Sequence, residues 1–367
     1  MKIALIPWAE RFMYDKIFDL GDTSINIDHR NDPYKDMQQE FIRRGDEFHT
    51  IDHYEDNLTG VDYFLFFEMN PQWLKKLTEL GLNHKLIYCN AEPPAVNKLN
   101  TAEGYRKITR LIPYVMTWNQ ALVDNRTVFF KNIPYYFKEN IGTVPYADRK
   151  LLTSISGNKK SDYPGELYSE RERVITFFEQ NYPADFDFYG TGWDGSRHPA
   201  YRGKVDVKAE TFHQYRFALA FENSQGLKGY VTEKMLDCLT AGIVPVYAGA
   251  EDVLDYIPQD CFIPYEKFGS YEELAEYLFG ITQAEYEGYL EAAQRFLHSD
   301  AVKQFSGERY AEDVYALIEK ADKQAFKPKK ADVIGLDMKI RKSKMVTKTK
   351  EAIKLLLHFG RQHSTKA

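Results

Sequence analysis

RFALAFENSQGLKGYVTEKMLDCLTAGIVPVYAG, residues 216–249, reads as strand, polar loop, helix and strand in one run. Phe217, Leu219 and Phe221 make a buried strand, and Ile243–Tyr247 a second one. Between them Val231, Met235, Leu236 and Leu239 fall on one face of a helix that Gly242 stops. Such a crossover belongs to an open parallel sheet, where ligands bind at the carboxyl ends of strands and the amino ends of helices. Glu222, Asn223 and Ser224 follow the first strand directly, and Tyr230, Glu233 and Lys234 gather at the helix entry. Free backbone N–H groups and the helix dipole favour an anion there. A carboxylate accepts the hydroxyls of a ribose, and a lysine ammonium partners a diphosphate.

Outward from this stretch the same alternation repeats. Strands are expected at Lys2–Trp8, Phe48–Ile51, Asp62–Glu68, Lys85–Cys89 and Tyr114–Thr117, with helices at Met37–Arg44 and Gln72–Leu80. Short apolar strands alternating with helices specify an α/β domain with a covered parallel sheet. The chain turns irregular near residue 140 and restarts with a strand at Leu151–Ser156. Three parts follow: a first domain over 1–150, a second over 151–320, and a tail over 321–367. In the second domain Ser270 and Glu273 have the spacing of a capping box.

The net charge of −6 conceals a split. From Lys320 to Ala367 there are fourteen Lys or Arg against four Asp or Glu, a balance of +10, which leaves −16 for the rest. An acidic body disfavours nucleic acid, whereas the basic tail, with Ile353 and Leu355–Leu357 among its lysines, reads as an amphipathic helix suited to peripheral contact with anionic membrane. Three scattered cysteines without a paired motif fit a reducing compartment. MKIALIPWAERF reads as a first strand and not a signal peptide, and no run is long enough to span a bilayer, so a cytoplasmic protein is expected.

Other residues are candidates by position. Glu92 follows a strand in Ala91-Glu92-Pro93-Pro94, where Pro93 holds it extended. Arg171 and Arg173 open a helix at the same sheet edge, and either guanidinium suits a phosphate. Asp185-Phe186-Asp187 has a metal-binding look, but its alternation suggests a strand with outward carboxylates. GxSxG, HExxH, Walker A and CxxC motifs are absent.

FALAFENS (217–224), GYVTEK (229–234) and GIVPVYAGA (242–250), with YGTGW (189–193) and YRGKV (201–205) ahead of them, resemble the α1,3-fucosyltransferases, family ten of the glycosyltransferases, and most of all its bacterial members. The resemblance covers about 186–265 strongly and reaches back to Leu151. It implies a GT-B fold, two Rossmann-like domains facing across a cleft. GDP-fucose would lie on the second domain, held by Tyr230, Glu233 and Lys234, with Arg171 or Arg173 at the diphosphate. Glu92 would be the general base of an inverting, metal-independent transfer of L-fucose to a glycan hydroxyl, in surface polysaccharide or lipopolysaccharide synthesis or on a protein glycan, with no cofactor beyond the donor. The family's base is followed by serine and proline, and here Pro93 stands in the serine position. Acceptor choice would lie in the first domain, with 19–35 and 92–106 lining that side. A different nucleotide-sugar donor on the same fold, or a non-catalytic nucleotide-sugar or glycan binding module, are the competing readings.

Overall fold

A computed structural model describes residues 1–321, 326–333 and 335, so the amphipathic helix expected in the tail lies outside the described residues. The first domain runs β1 (Lys2–Ile6), α1 (Asp32–Arg43), β2 (Glu47–Thr50), β3 (Tyr63–Phe67), α2 (Pro71–Glu79), β4 (Leu86–Cys89), α3 (Ala102–Ile108), β5 (Tyr114–Thr117) and β6 (Val128–Phe130). All six strands are parallel, in the order β2-β1-β3-β4-β5-β6. Both faces are covered, which is why YFLFF and LIYC are apolar without alternation. Asn70 caps α2 by accepting from the N–H groups of Gln72 and Trp73, and Pro71 opens the helix where no donor is needed.

The second domain runs β7 (Lys150–Ile155), α4 (Tyr168–Asn181), β8 (Phe186–Tyr189), α5 (Lys208–Phe212), β9 (Tyr215–Phe221), α6 (Glu233–Ala241), β10 (Val244–Ala248), β11 (Ile263–Pro264), α7 (Tyr271–Gly280), α8 (Gln283–Leu297) and α9 (Gly307–Lys320). Its five strands are also parallel, ordered β11-β10-β9-β7-β8. In each sheet the chain reverses direction once, between β1 and β3 and between β7 and β9, and crevices open at such points. Gly242 ends α6 in the left-handed conformation, φ 68°.

Four expectations change. Asp187 does not face outward: it is buried, paired with Lys150 at 2.6 Å and Arg202 at 2.6 Å, and accepts from the Tyr215 hydroxyl. Its neighbours Phe186 and Phe188 are buried as well, so alternation does not expose the carboxylate. Ser270 accepts from the Glu273 N–H, but the Glu273 carboxylate returns to the N–H of Gly269, and the reciprocal capping box forms at Thr282 and Glu285 instead. Tyr230 precedes α6 and does not lie on it. The last helix of the second segment, α9, leaves that domain: Tyr310, Ala311, Val314 and Leu317 join Phe41 and Phe48 in the core beneath the first sheet. Gly307 permits this approach, because a Cβ there would stand 2.0 Å from the Pro33 carbonyl oxygen.

Leu317 is 1% exposed in that shared core. Leu317→Ala is expected to cost about 3 kcal/mol in denaturant unfolding. A loss below about 1 kcal/mol would contradict the packing of α9 on the first domain.

Candidate active site

The carboxyl ends of the two sheets face each other across a cavity of about 750 Å³. From the second domain it is lined by Ser156 and Gly157 after β7, Arg171 on α4, Asn223 after β9, and Tyr230, Thr232, Glu233 and Lys234 at the start of α6. From the first domain come Trp8, Tyr34, Glu68, Glu92 and Lys131. The polar segment expected on this side supplies the stretch Ile27–Arg30 with Pro33 and Tyr34.

The helix entry is built on a carboxylate. Glu222 has no exposed surface, and its two oxygens accept from the backbone N–H of Thr232 at 2.8 Å and from the Thr232 hydroxyl at 2.7 Å. Thr232 in turn caps α6 by accepting from the N–H of Lys234. Burial raises the Glu222 carboxyl to about 7, with Lys234 pulling the other way at 3.5 Å. Glu222 therefore does not line the cavity but sets the position of the residues that do. Ser224 is likewise buried beneath the site and lies outside its lining.

Glu233 and Lys234 do face the cavity and pair at 2.9 Å. Burial opposes the charge on Glu233, but Lys234 and Lys208 outweigh it and hold that carboxyl at about 2. The Lys234 ammonium is also kept charged: burial works against it, and Glu233 and Glu222 together prevail. Lys208 ties the domains together, meeting Asp237 at 2.5 Å and Asp28 of the first domain at 3.4 Å. Tyr230 is 2% exposed, with Asn223 Nδ2 at 3.5 Å from its hydroxyl.

The two arginines part company. Arg171 is buried, lines the cavity, and donates through Nη2 to the carbonyls of Phe221 at 2.6 Å and Glu222 at 3.1 Å. Arg173 lies two residues on, which turns it to the outer face of α4, where it pairs with Glu170 and is exposed. It is removed as a site candidate.

On the opposite wall Glu92 stands in a loop fixed by Glu68. The Glu68 carboxylate accepts from the N–H groups of Ala91 at 2.7 Å and Glu92 at 2.9 Å, from the Tyr88 hydroxyl at 2.9 Å, and from Asn97 and Asn100 side chains. Glu68 itself takes φ 61°, a strained backbone angle for a non-glycine residue that so many bonds hold in place. Burial raises the Glu92 carboxyl above the ordinary glutamate range, the negative Glu233 across the cavity raises it further, and Lys234 offsets part of this. Trp118 joins the two walls: its indole N–H donates to Ala91 O at 3.0 Å and its ring meets that of Tyr230 at 4.6 Å. Gly229 makes this contact possible, since it takes φ +80° and a Cβ would come within 2.1 Å of the Trp118 carbonyl oxygen.

Residues 156–329 match the family described as "Glycosyltransferase family 10 (fucosyltransferase) C-term". The match spans 174 of the chain's 367 residues, just under half, and makes the second domain similar to glycosyltransferase family 10. Among curated relatives the chain is 42% identical over 82 residues to alpha-(1,3)-fucosyltransferase 7 of Homo sapiens, covering 22% of this chain and 24% of that protein. It is 42% identical over 81 residues to GDP-fucose protein O-fucosyltransferase 3 of Gallus gallus, covering 21% and 17%. The chain thus aligns with less than a quarter of the length of these relatives. A solved α1,3-fucosyltransferase superposes with a TM-score of 0.51 at 16% identity, over 88% of this chain and 90% of that one, a likeness of fold. The two parallel-sheet domains facing across a cleft are the GT-B arrangement expected from the sequence.

Glu68, Trp118, Thr232 and Lys208 escaped the sequence reading. Glu68 had a signal that was available: FLFFE and ALAFE both end an apolar strand on a glutamate.

The helix entry rests on Glu222. Glu222→Ala strands a buried N–H and a buried hydroxyl and leaves Lys234 with Glu233 alone, and is expected to lower stability by about 3 kcal/mol. It should also weaken GDP binding by calorimetry, and unchanged stability with unchanged affinity would exclude the positioning role. Arg171→Ala is expected to weaken GDP binding at least tenfold, whereas Arg173→Ala leaves it within twofold. The reverse order would return Arg173 to the site.

Proposed function

We propose that this protein transfers L-fucose from GDP-fucose to a hydroxyl of a glycan, with inversion at the anomeric carbon. The observation that carries the reading is that a carboxylate above its ordinary pKa, Glu92, and a cationic helix entry with Arg171 and Lys234 line one cavity from opposite domains. The matched family is named for fucosyl transfer, and the chicken relative carries GDP-fucose in its name. That relative acts on protein by its name and the human one forms an α1,3 linkage, and each is 42% identical to this chain over about 80 residues. Relatives named for different acceptors are thus equally similar to this chain, and acceptor and linkage would rest with the first domain.

The donor would lie with its ribose at Glu233 and Tyr230 and its diphosphate between Lys234 and Arg171. The acceptor hydroxyl would enter from the Glu92 side. As its oxygen attacks the anomeric carbon, Glu92 takes the proton, and the bond to the diphosphate oxygen breaks with its electron pair leaving on GDP. Fixed cations already in place stabilise that leaving charge, so a metal ion is not required. Holding both reactants in line across the cleft removes much of the entropic barrier.

Thermal shift against GDP-fucose, UDP-sugars and CMP-sugars tests the donor: stabilisation by GDP-fucose and GDP alone is expected, and indifference to all guanine nucleotides refutes it. The rate of transfer is expected to fall as pH drops through the Glu92 pKa, because a base acts only when ionised. The raised pKa puts that acid limb above the ordinary glutamate value near 4.3. Glu92→Gln should lower kcat at least a hundredfold with GDP affinity kept; retained turnover would transfer the role of base to another group, and a parent protein that binds GDP-fucose without turnover would favour a binding module.

A further inference from the structure

The first-domain side carries charge that the donor reading does not use: Arg30 lines the cavity, and Arg11 stands beside it on the same ring without being part of the lining. Arg11 and Arg30 lie on the ring of Phe12, their guanidinium carbons 4.9 and 5.3 Å from its centroid, and both are exposed. Arg30 spends Nε and Nη2 on the carbonyl of Ile25, at 3.1 and 2.8 Å, which fixes the plane of the guanidinium and leaves Nη1 outward. Neither arginine has a carboxylate within 4.0 Å among the described residues. Two like charges on one ring repel, and the Phe12 ring and the Ile25 carbonyl relieve them without a compensating carboxylate. Burial and the Arg11 charge both hold the Arg30 pKa below its usual value.

The surroundings suit a sugar. Trp8 lines the same cavity, is 41% exposed, and is held by Phe12 at 4.4 Å and Tyr34 at 5.7 Å. A tryptophan fixed by two rings with one face open is a platform for a pyranose. Deeper in the wall Lys131 is 1% exposed and has no carboxylate within 4.0 Å among the described residues; its ammonium lies over the Tyr310 ring at 5.1 Å. Two carboxylates on this side are engaged otherwise, Asp28 by Lys208 and Glu68 by its five donors, and the third, Glu92, is the proposed base.

We propose that the acceptor is an acidic glycan, carrying a carboxylate or phosphate ester close to the sugar that receives fucose. Arg11 and Arg30 hold the oxyanion, Trp8 stacks on the ring, and Lys131 adds positive potential from below. Planar guanidinium groups recognise both oxyanions through paired hydrogen bonds. A neutral glycan leaves two arginines unpaired, so the same residues give specificity as well as affinity. The inference rests on the acceptor entering from the first domain, as in the proposed transfer.

The test compares N-acetyllactosamine with the same disaccharide oxidised to a carboxylate at C6 of galactose, each titrated onto the GDP-loaded full chain by ligand-observed NMR. The carboxylated sugar is expected to bind at least tenfold tighter, with the gain shrinking in 0.5 M salt. In the Arg11→Gln/Arg30→Gln variant the gain should vanish; a GDP-induced rise in Tm reports that the variant is folded. Equal affinities in the parent protein, or a gain kept by the double variant, overturn the proposal. A charge-dependent gain without any response to GDP-fucose would refute the donor assignment and leave the acidic acceptor standing.

Discussion

A carboxylate with no exposed surface, Glu222, holds the end of β9 to the first turn of α6 through the backbone and hydroxyl of Thr232. Everything the second domain presents to a ligand is referred to that bond pair. Thr232 caps the helix, the cap fixes Lys234, and Lys234 returns its charge to Glu222 at 3.5 Å. A buried acid this close to an ammonium is stable only as part of the set, since removing one member leaves the others desolvated and unpaired. Rigid placement follows from that cost. Arg171, bonded to the carbonyls of Phe221 and Glu222, belongs to the same unit.

The first domain repeats the device with a different outcome. Glu68, also the residue after an apolar strand, accepts from the next strand's loop and so positions Glu92. Five donors satisfy Glu68, which therefore serves as a structural anchor for the loop, whereas Glu92 faces a cavity where burial and the charge of Glu233 resist its ionisation. Two glutamates on adjacent strand ends thus differ in role because they differ in hydrogen-bond supply. The wall between domains is completed by Trp118, which touches both the Ala91 carbonyl and the Tyr230 ring, and by Lys208, which spans Asp28 and Asp237. A change on one wall is felt on the other through these contacts. The helix α9 serves the same end at a distance, anchoring the second domain's last segment in the first domain's core.

Local pattern was a good guide wherever one element decided the answer. The strands of both sheets follow from short apolar runs, Gly242 stops α6 as its sequence position requires, and Glu233 and Lys234 reach the cavity because helical spacing turns their apolar neighbours to the sheet, with Tyr230 in the loop just before the helix. Where two elements had to meet, pattern was insufficient. Arg171 and Arg173 have the same residue type two positions apart, and only the packing of α4 against β9 turns one inward and leaves the other with Glu170. Asp187 reads as a surface carboxylate by alternation, but Lys150, Arg202 and Tyr215 compensate its charge from three separate segments.

By itself, then, the sequence determined two parallel α/β sheets, a helix entry that carries Glu233 and Lys234, and through its motifs the family that the second domain resembles. These depend on spacing along one segment, a property that hydrophobic period and capping record directly. The tertiary structure decided which charges share a cavity: Glu92 opposite Glu233, Arg171 in place of Arg173, and Arg30 beside Trp8, with Arg11 next to it on the Phe12 ring. Burial and electrostatic coupling depend on distances between segments remote in sequence, and those distances exist only once the two sheets face each other.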